Sequence, residues 1–205
     1  MLIKTLTVGM MANNCYIVTD EKTLQCAIID PGAESSTILD YIEANKLKPE
    51  VIFITHGHFD HSMALDAVLD AFNVPVYINQ AEVNRGGQRE RHLIEEYENM
   101  RYCKDGDIIS VGSLQFIILD TPGHSPGSIT IMCENALFTG DTLFNGDCGR
   151  TDLEGGNRET ILKSLNRLAE LDGDYEVYPG HEESTTLDAQ RAHNLDMRIA
   201  TGELT

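Results

Sequence analysis

The chain has 205 residues and a mass of 22.7 kDa, which suffices for one substantial core and predicts a single domain over residues 1–205. Its 33 acidic and 15 basic residues give a net charge of −18, so the long-range field repels nucleic acid and anionic membranes. The balance of apolar and charged residues excludes a disordered chain, and we expect a small-molecule substrate with no nucleic-acid or membrane partner.

Two further features bear on the cellular compartment. No apolar run approaches the ~18 residues of a membrane span, and the N-terminus lacks a basic segment followed by an apolar one. The five cysteines are scattered without a CxxC pair, which is typical of reduced thiols. The sequence therefore predicts a cytoplasmic protein without disulfide bonds. It leaves the oligomeric state open.

The first third of the chain has the patterns of strands joined by short turns. Strands are predicted at residues 3–8, 15–19 and 24–29, the last ending at the turn 30–32. A helix is predicted over residues 35–45, followed by a buried strand at 51–55, a helix at 60–72 and a strand at 74–78.

The remaining elements complete a layered arrangement. Residues 80–102 are predicted to be a polar, helical and solvated excursion, placed where a lid over a site could lie. Further strands are predicted at residues 114–119, 128–132, 136–138 and 176–178, and further helices at 157–171 and 184–196. Because the first strands precede interleaved helices, we predict an α+β layered fold that contains two sheets.

Four apolar strands each end in a polar turn that holds potential metal ligands. Sites gather at the carboxyl ends of strands in layered α/β folds, so these turns can deliver their side chains to one place. Five of the seven histidines lie in these turns, a clustering that structural roles do not explain. The candidate ligands are His56, His58, Asp60, His61, His124, Asp141 and His181.

Seven ligands exceed one tetrahedral shell, so the sequence predicts two divalent metal ions. Imidazole and carboxylate suit zinc, and they also accept iron or manganese. The set divides into His56, His58 and His124 for one ion, and Asp60, His61 and His181 for the other, with Asp141 as a bridge. Three ligands and a bridge leave an open position on each ion, which is typical of catalytic rather than structural sites.

The motifs resemble those of the metallo-β-lactamase superfamily. Residues 55–61 read THGHFDH, which is similar to the THxHxDH signature, and PGHSPGS at 122–128, FTGDTLF at 138–144 and PGH at 179–181 resemble the remaining ligand motifs in order. Within the superfamily, GDTLF at 140–144 and CGRTD at 148–152 are most similar to glyoxalase II-type hydroxyacylglutathione hydrolases.

The resemblance implies a four-layer αββα sandwich and thioester hydrolysis by a metal-bridging hydroxide. It implies that Asp60 both binds metal and orients the hydroxide, and that Arg150 meets a substrate carboxylate. The chain ends soon after the predicted helix that follows His181, as in a short bacterial subtype without the C-terminal domain that helps to hold glutathione. Whether glutathione is the thiol is therefore left open.

Several positions have two interpretations. Arg150 fits a bidentate contact to a carboxylate equally well as a structural salt bridge. Cys148 is better explained as an inert buried thiol than as a functional one. Asp30, Thr55 and the Gly140 backbone are candidate hydrogen-bond partners for ligand imidazoles. His92 and His193 are interpreted as ordinary surface or helix residues.

Other activities on the same scaffold stay open. Persulfide dioxygenases also resemble the chain and use one iron held by two histidines and an aspartate, and a lactone could be opened by the same hydroxide. A β-lactamase is disfavoured by Asp141, which stands where those dinuclear enzymes often carry another ligand. A diiron flavoprotein reductase is disfavoured by His58, and a nuclease by the negative charge.

Overall fold

A computed structural model of the protein describes residues 1–83, 94 and 96–204. Two six-stranded sheets form its centre. The first sheet, in spatial order, contains β1 (Leu2–Val8), β2 (Asn13–Thr19), β3 (Gln25–Ile29), β4 (Lys48–Phe53), β5 (Val76–Asn79) and β6 (Met100–Cys103). Its first three strands are antiparallel, and its last four are parallel to one another.

In the second sheet, too, strands that follow one another along the chain lie side by side. It contains β7 (Ile108–Val111), β8 (Leu114–Asp120), β9 (Ile129–Cys133), β10 (Ala136–Gly140), β11 (Glu176–Pro179) and β12 (Thr185–Thr186). Strands β10 and β11 are parallel, whereas the other neighbours are antiparallel. The helices are α1 (Ser35–Ala44), α2 (Leu65–Phe72), α3 (Arg158–Ala169), α4 (Leu187–His193) and α5 (Leu195–Ala200).

Three buried apolar clusters show how the layers pack. Strand side chains alternate between faces, so Val51 and Phe53 of β4 enter the cluster between the two sheets. Ile52 and Ile54 point the other way, into the cluster beneath α1 and α2. A third cluster packs the outer face of the second sheet against α3, α4 and α5. The predicted four-layer αββα sandwich is confirmed.

The structure corrects several predicted elements. The helix predicted at 60–72 begins only at Leu65, because residues 59–61 form a 3₁₀ turn that aims Asp60 and His61 inwards. The helix predicted at 184–196 is a short strand followed by two helices, with the Asn194 side chain capping the second. Strand β7 was not predicted.

The predicted helical excursion at 80–102 is wrong where the structure describes it. Residues 80–82 form a 3₁₀ turn, and Met100–Cys103 is an edge strand that pairs in parallel with β5. Both end residues of this strand are buried, so tertiary pairing decides its conformation. Residues 84–93 and 95, with His92 and any lid they would form, lie outside the described residues.

All five cysteines belong to the described ranges and are buried free thiols. Among the helices of residues 1–83 and 96–204, none is long and apolar enough to cross a membrane.

Candidate metal centre

The loops that follow β4, β8, β10 and β11 meet at one edge of the sandwich, as the sequence predicted. They bring all seven candidate ligand side chains together in two groups, within each of which the potential ligand atoms lie within 4.8 Å of one another. The first group contains His56, His58, His124 and Asp141, and the second contains Asp60, His61 and His181. The metal-binding roles of these residues stay predictions.

In the first group, three imidazole rings face one another nearly at right angles. The ring centroids are 4.6 Å apart for His56 and His58, 4.8 Å for His56 and His124, and 4.4 Å for His58 and His124. Nδ1 of His58 lies 2.6 Å from Nε2 of His124, so these nitrogens converge on one point. His58 therefore directs Nδ1 towards this point, whereas His124 directs Nε2 towards it.

The second group is built around one carboxylate oxygen. Oδ2 of Asp60 lies 3.2 Å from Nε2 of His181 and 3.9 Å from Nε2 of His61. Asp141 joins the two groups: its Oδ1 is 3.4 Å from Nε2 of His61, and its Oδ2 is 3.6 Å from the Nε2 atoms of both His124 and His181. This is the position that a bridging ligand requires.

Several of the converging donor atoms lack hydrogen-bond partners, and a bound metal ion would satisfy them. Nε2 of His56, Nε2 of His61 and Oδ1 of Asp141 are buried and have no hydrogen-bond partner within the described part of the chain. Buried polar atoms are normally hydrogen-bonded, and an orphaned set aimed at one place indicates an ion. Imidazole and carboxylate are suitable donors for divalent zinc, iron or manganese.

The other nitrogen of each of four imidazoles is held by a neighbour. Nδ1 of His124 donates to the carbonyl of Arg150 at 2.8 Å, and Nδ1 of His181 to the carbonyl of Met11 at 3.0 Å. Because Nδ1 carries the proton in these bonds, Nε2 keeps its lone pair for a metal.

The predicted partners Asp30 and Thr55 hold the other two rings. Oδ2 of Asp30 lies 2.9 Å from Nδ1 of His61 and accepts the Thr55 hydroxyl at 2.6 Å, and Oγ1 of that hydroxyl lies 3.1 Å from Nδ1 of His56. The Asn13 amide adds a contact of 3.0 Å to His61. The third predicted partner was the Gly140 backbone, and its carbonyl accepts the backbone N–H of Gly180 at 2.9 Å.

The two groups differ in electrostatics. Burial, with His61 and His58 nearby, lowers the pKa of His56 well below its usual value, and burial also lowers the pKa of His124. Burial opposes protonation of His61 too, but Asp141 and Asp30 outweigh it and raise its pKa. The hydrogen bond to Asp60 similarly outweighs burial and raises the pKa of His181. The same histidines overcome burial and lower the pKa values of Asp60 and Asp141.

Two glycines are required for this packing. Gly140 has a φ of +48°, and a Cβ there would lie 2.5 Å from Oγ1 of Thr55. A Cβ at Gly180 would lie 2.3 Å from Oδ1 of Asp141. Any larger residue would displace the side chains of the centre.

Sequence reasoning missed Glu82. It was assigned to a solvated segment, yet it is only 2 % exposed. Its Oε2 accepts the backbone N–H of Gly57 at 2.8 Å, and its Oε1 accepts that of Gly127 at 2.6 Å. No local signal separates this glutamate from its solvated neighbours, because both partners are distant in sequence.

Arg150 contributes to the centre through its backbone. Its guanidinium makes a bidentate pair with Asp152 at 2.7 and 2.8 Å, and both side chains are exposed. Its carbonyl holds His124, and the residue also lines the pocket above the cluster. The substrate contact stays a prediction. Cys148 donates to Asp196 at 2.9 Å, and burial together with this bond raises its pKa to about 12, as expected for an inert thiol.

A pocket of about 740 Å³ opens directly above the cluster. His58, Asp60, His124, Asp141 and His181 form its polar floor. Its walls combine apolar side chains with acidic ones, including Met11, Phe59, Phe144, Leu153, Asp147 and Glu182. The cluster is therefore open to a small molecule.

The model of one protein family, described as the metallo-beta-lactamase superfamily, matches residues 8–181. Among curated proteins, the chain is 36 % identical to the probable metallo-hydrolase YqgX of Bacillus subtilis, covering 90 % of this chain and 92 % of that protein. It is 29 % identical to the hydroxyacylglutathione hydrolase GloC of Haemophilus influenzae, covering 95 % and 97 %.

Three solved structures are each 30 % identical to the chain. The BLEG-1 B3 metallo-beta-lactamase has a TM-score of 0.84 and covers 96 % of this chain and 99 % of its own. ETHE1 from Myxococcus xanthus has a TM-score of 0.81, with 98 % and 85 % covered. The di-iron-bound form of TTHA1623 has a TM-score of 0.80, with 94 % and 98 % covered.

Proposed function

The chain belongs to the metallo-beta-lactamase superfamily, and we propose that it is a dinuclear-metal hydrolase of acyl thioesters, of the glyoxalase II type. The observation that carries the proposal is the division of seven converging ligands into two groups joined by Asp141. A structural or storage site needs neither a shared carboxylate nor a floor open to a pocket of this size.

Under this proposal His56, His58 and His124 would hold one ion, Asp60, His61 and His181 would hold the other, and Asp141 would contact both. When bound, the two ions would supply hydroxide near neutral pH and polarise the scissile carbonyl. The donor chemistry accepts zinc, and the di-iron form of TTHA1623 supports iron as an alternative.

The protein side chains would position the reactants. Asp60 lies at the pocket floor, so its carboxylate could accept a hydrogen bond from the attacking hydroxide and so orient an oxygen lone pair towards the carbonyl. The imidazole bonds to Asp30, Thr55 and two backbone carbonyls would hold the ligand rings still during turnover. A thiol has a pKa of about 8.5, so a thioester can release it without a strong general acid.

Similarity to GloC supports S-lactoylglutathione or a related acyl thiol as the substrate. The free thiols support a cytoplasmic location, and the charge of −18 supports a small-molecule substrate rather than nucleic acid.

The first experiment is metal analysis of the purified protein, combined with an anaerobic assay of S-lactoylglutathione hydrolysis. Two metals per chain and turnover without oxygen are expected. The His56→Ala variant should lose metal binding and turnover. The His193→Ala variant should behave as wild type, because His193 is exposed and lies outside the cluster. Similarity to BLEG-1 makes a chromogenic cephalosporin the appropriate counter-substrate. Fast cephalosporin cleavage with no thioester cleavage would replace the proposal.

A second candidate is a persulfide dioxygenase with one iron. It is favoured by the composition of the two groups, because either group by itself contains two histidines and an aspartate, the set that one iron would need. One iron per chain, with turnover only when a persulfide and oxygen are both supplied, would establish this activity instead. A lactonase would be recognised by oxygen-independent opening of lactones in the same assays.

A further inference from the structure

Glu82 ends the 3₁₀ turn that follows β5 and lies beneath the first ligand group. Two of its hydrogen-bond partners among the described residues belong to separate ligand loops. Gly57 stands between His56 and His58, and Gly127 follows His124 by three residues. One buried carboxylate therefore joins the loop after β4 to the loop after β8.

The two loops approach Glu82 so closely that their contact residues have no room for a side chain. A Cβ at Gly57 would lie 3.0 Å from Oε2 of Glu82, and a Cβ at Gly127 would lie 2.8 Å from its Cγ. Both loops thus contact the glutamate through backbone, where a side chain would hold them apart. Charge-assisted bonds from backbone N–H groups to a carboxylate are among the stronger hydrogen bonds in proteins.

We propose that Glu82 is a positioning residue that sets the distance between the His56–His58 loop and the His124 loop. It would tune the first metal site without touching metal or substrate. In the described part of the chain, the outer nitrogens of the second group contact Asp30, Asn13 and the Met11 carbonyl instead. The effect of Glu82 is therefore selective for the first group, and this inference rests on the two-metal arrangement of the proposed function.

The test is Glu82→Gln, which keeps the volume and one acceptor oxygen but turns an NH₂ group towards a backbone N–H donor. Zinc affinity of the first site should fall about tenfold or more, with the second site unchanged. Ring-nitrogen NMR signals of labelled histidines assign each site: those of His56 and His124 should need more zinc to shift, and those of His61 and His181 should shift as in wild type.

The matched control is Glu50→Gln, which also alters a carboxylate that accepts a hydrogen bond, but at an exposed position. Equal weakening of both sites in Glu82→Gln would indicate a general structural role and overturn the proposal, as would wild-type affinity at both. If this variant fails to fold, Gly127→Ala strains the same contact from the loop side and should give the same selective loss. A protein that binds no zinc at any group would instead refute the proposed function.

A separate observation concerns an apolar cleft of about 380 Å³ beside the metal pocket. The two cavities share Met11, Phe59 and Asp60, so the cleft continues from the metal centre. Met10 is fully exposed, and Met11 and Met63 are 57 % and 58 % exposed at its rim. Grouped exposed apolar side chains on a strongly charged protein mark a binding surface, and methionines adapt to flexible apolar ligands.

Both walls of this cleft are fixed to ligand-bearing segments. The β1–β2 turn carries Met10 and Met11, and the carbonyl of Met11 accepts the bond from His181 at 3.0 Å. On the other wall, the backbone N–H of Met63 donates to the carbonyl of Phe59 at 2.9 Å, in the turn that contains Asp60 and His61. The cleft therefore keeps a fixed position relative to the reacting centre.

The geometry points to this cleft as the subsite for the apolar acyl chain of the substrate. The inference rests on the proposed thioester hydrolysis. The thiols that carry acyl groups in cells are polar, so they suit the remainder of the metal pocket, whose lining includes Asp147, Arg150 and Glu182. The preferred substrate is then a related acyl thiol with an unbranched apolar acyl chain, cleaved faster than S-lactoylglutathione.

The test compares acetyl, butyryl, hexanoyl and octanoyl thioesters of N-acetylcysteamine. kcat/KM should rise with chain length by up to about fourfold per buried methylene. Binding of the S-octyl and S-ethyl thioethers, which cannot be hydrolysed, should follow the same order. Met63→Glu should flatten both trends, while Ile108→Glu, at an equally exposed position of 58 % in β7, should keep them.

Hydrolysis without any chain-length trend, or a trend that Met63→Glu leaves intact, would overturn the subsite. If the enzyme hydrolyses neither S-lactoylglutathione nor any thioester of the series, the proposed function is rejected instead. The thioether measurements would still report on binding in the cleft. If Met63→Glu does not fold, Met10→Glu places the same charge at the opposite rim.

Discussion

The two halves of the metal centre are held by different chemistry. Around His56 and His124, the partners of the rings are a threonine hydroxyl and a backbone carbonyl, and the pKa values of both imidazoles are lowered. Around His61 and His181, carboxylates dominate, and both pKa values are raised. Identical side chains thus acquire opposite protonation tendencies from their neighbours, in the same buried edge of the sandwich.

The rings of His56 and His124 are thus held by neutral partners, whereas those of His61 and His181 lie among carboxylates. Metal binding requires deprotonated imidazoles, and the carboxylate neighbours of the second group favour the protonated form of its rings. The two sites are therefore expected to differ in affinity and in their response to mutation.

The largest effect is expected for Asp141→Ala, because Asp141 is shared by both halves. We expect loss of both metals and a fall in kcat/KM of at least ~10³-fold, measured by metal analysis and the thioester assay. His193→Ala is the control. A fully active Asp141→Ala enzyme would contradict the dinuclear hypothesis, and with it the division of the centre into two metal sites.

Asp30→Asn should separate the two halves. The amide would turn an NH₂ group towards Nδ1 of His61 or the Thr55 hydroxyl, so metal affinity of the second site should fall about 10- to 100-fold. The first site should weaken less, through Thr55 and His56. The readout is a zinc titration of the metal-free protein, with Asp40→Asn on the exposed face of α1 as the control. Equal loss at both sites would show that the halves are one unit.

Arg150→Ala tests a residue whose backbone and side chain have different partners. The carbonyl that holds His124 remains, so the first half should stay intact and metal content should not change. If the guanidinium meets a substrate carboxylate, KM should rise several-fold to about tenfold with kcat retained, in steady-state kinetics. An unchanged KM would leave the exposed pair with Asp152 as the role of this side chain.

The smallest effect is expected far from the centre, at Asp20. This carboxylate accepts the backbone N–H groups of Lys22 and Ser113, which lowers its pKa to about 2. Because the folded pKa lies below the unfolded value of 3.8, its stabilisation is present above about pH 4 and is lost as the pH falls towards about 2.

Asp20→Asn should therefore lower the melting temperature near neutral pH, and the difference from wild type should shrink as the pH falls through that window. Thermal unfolding of the metal-free protein at several pH values measures it. Zinc affinity should match that of the wild type, because Asp20 joins loops that carry no metal ligand. In this respect Asp20 differs from Glu82, which joins two loops that do. A constant difference across the window would contradict the assignment.

Much of this fold was predictable because its strands are short, buried and locally marked. The alternation of Val51 and Phe53 with Ile52 and Ile54 reflects a strand covered on both faces. The convergence of the candidate ligands was predictable because a polar turn after an apolar strand marks a sheet edge where side chains meet.

The missed parts depend on partners far along the chain. Strands β6 and β7 are short, and their conformation comes from pairing with β5 and β8. Glu82 looks like any acidic surface residue until Gly57 and Gly127 are brought to it. Sequence patterns record faces and turns, whereas these contacts are properties of the assembled sandwich.

The seam between the N-terminal hairpin and the loop after β11 has a consequence for biosynthesis. Asn14 and Tyr16 of β2 both donate to the carbonyl of Pro179, beside His181. A ribosome delivers chain from the N-terminus, and non-local contacts wait for the last segment that they need. The first ligand group is complete once residue 141 has emerged, while the second waits forty residues longer for His181. The candidate ligands of the two groups therefore leave the ribosome at different times, although the domain folds as a unit.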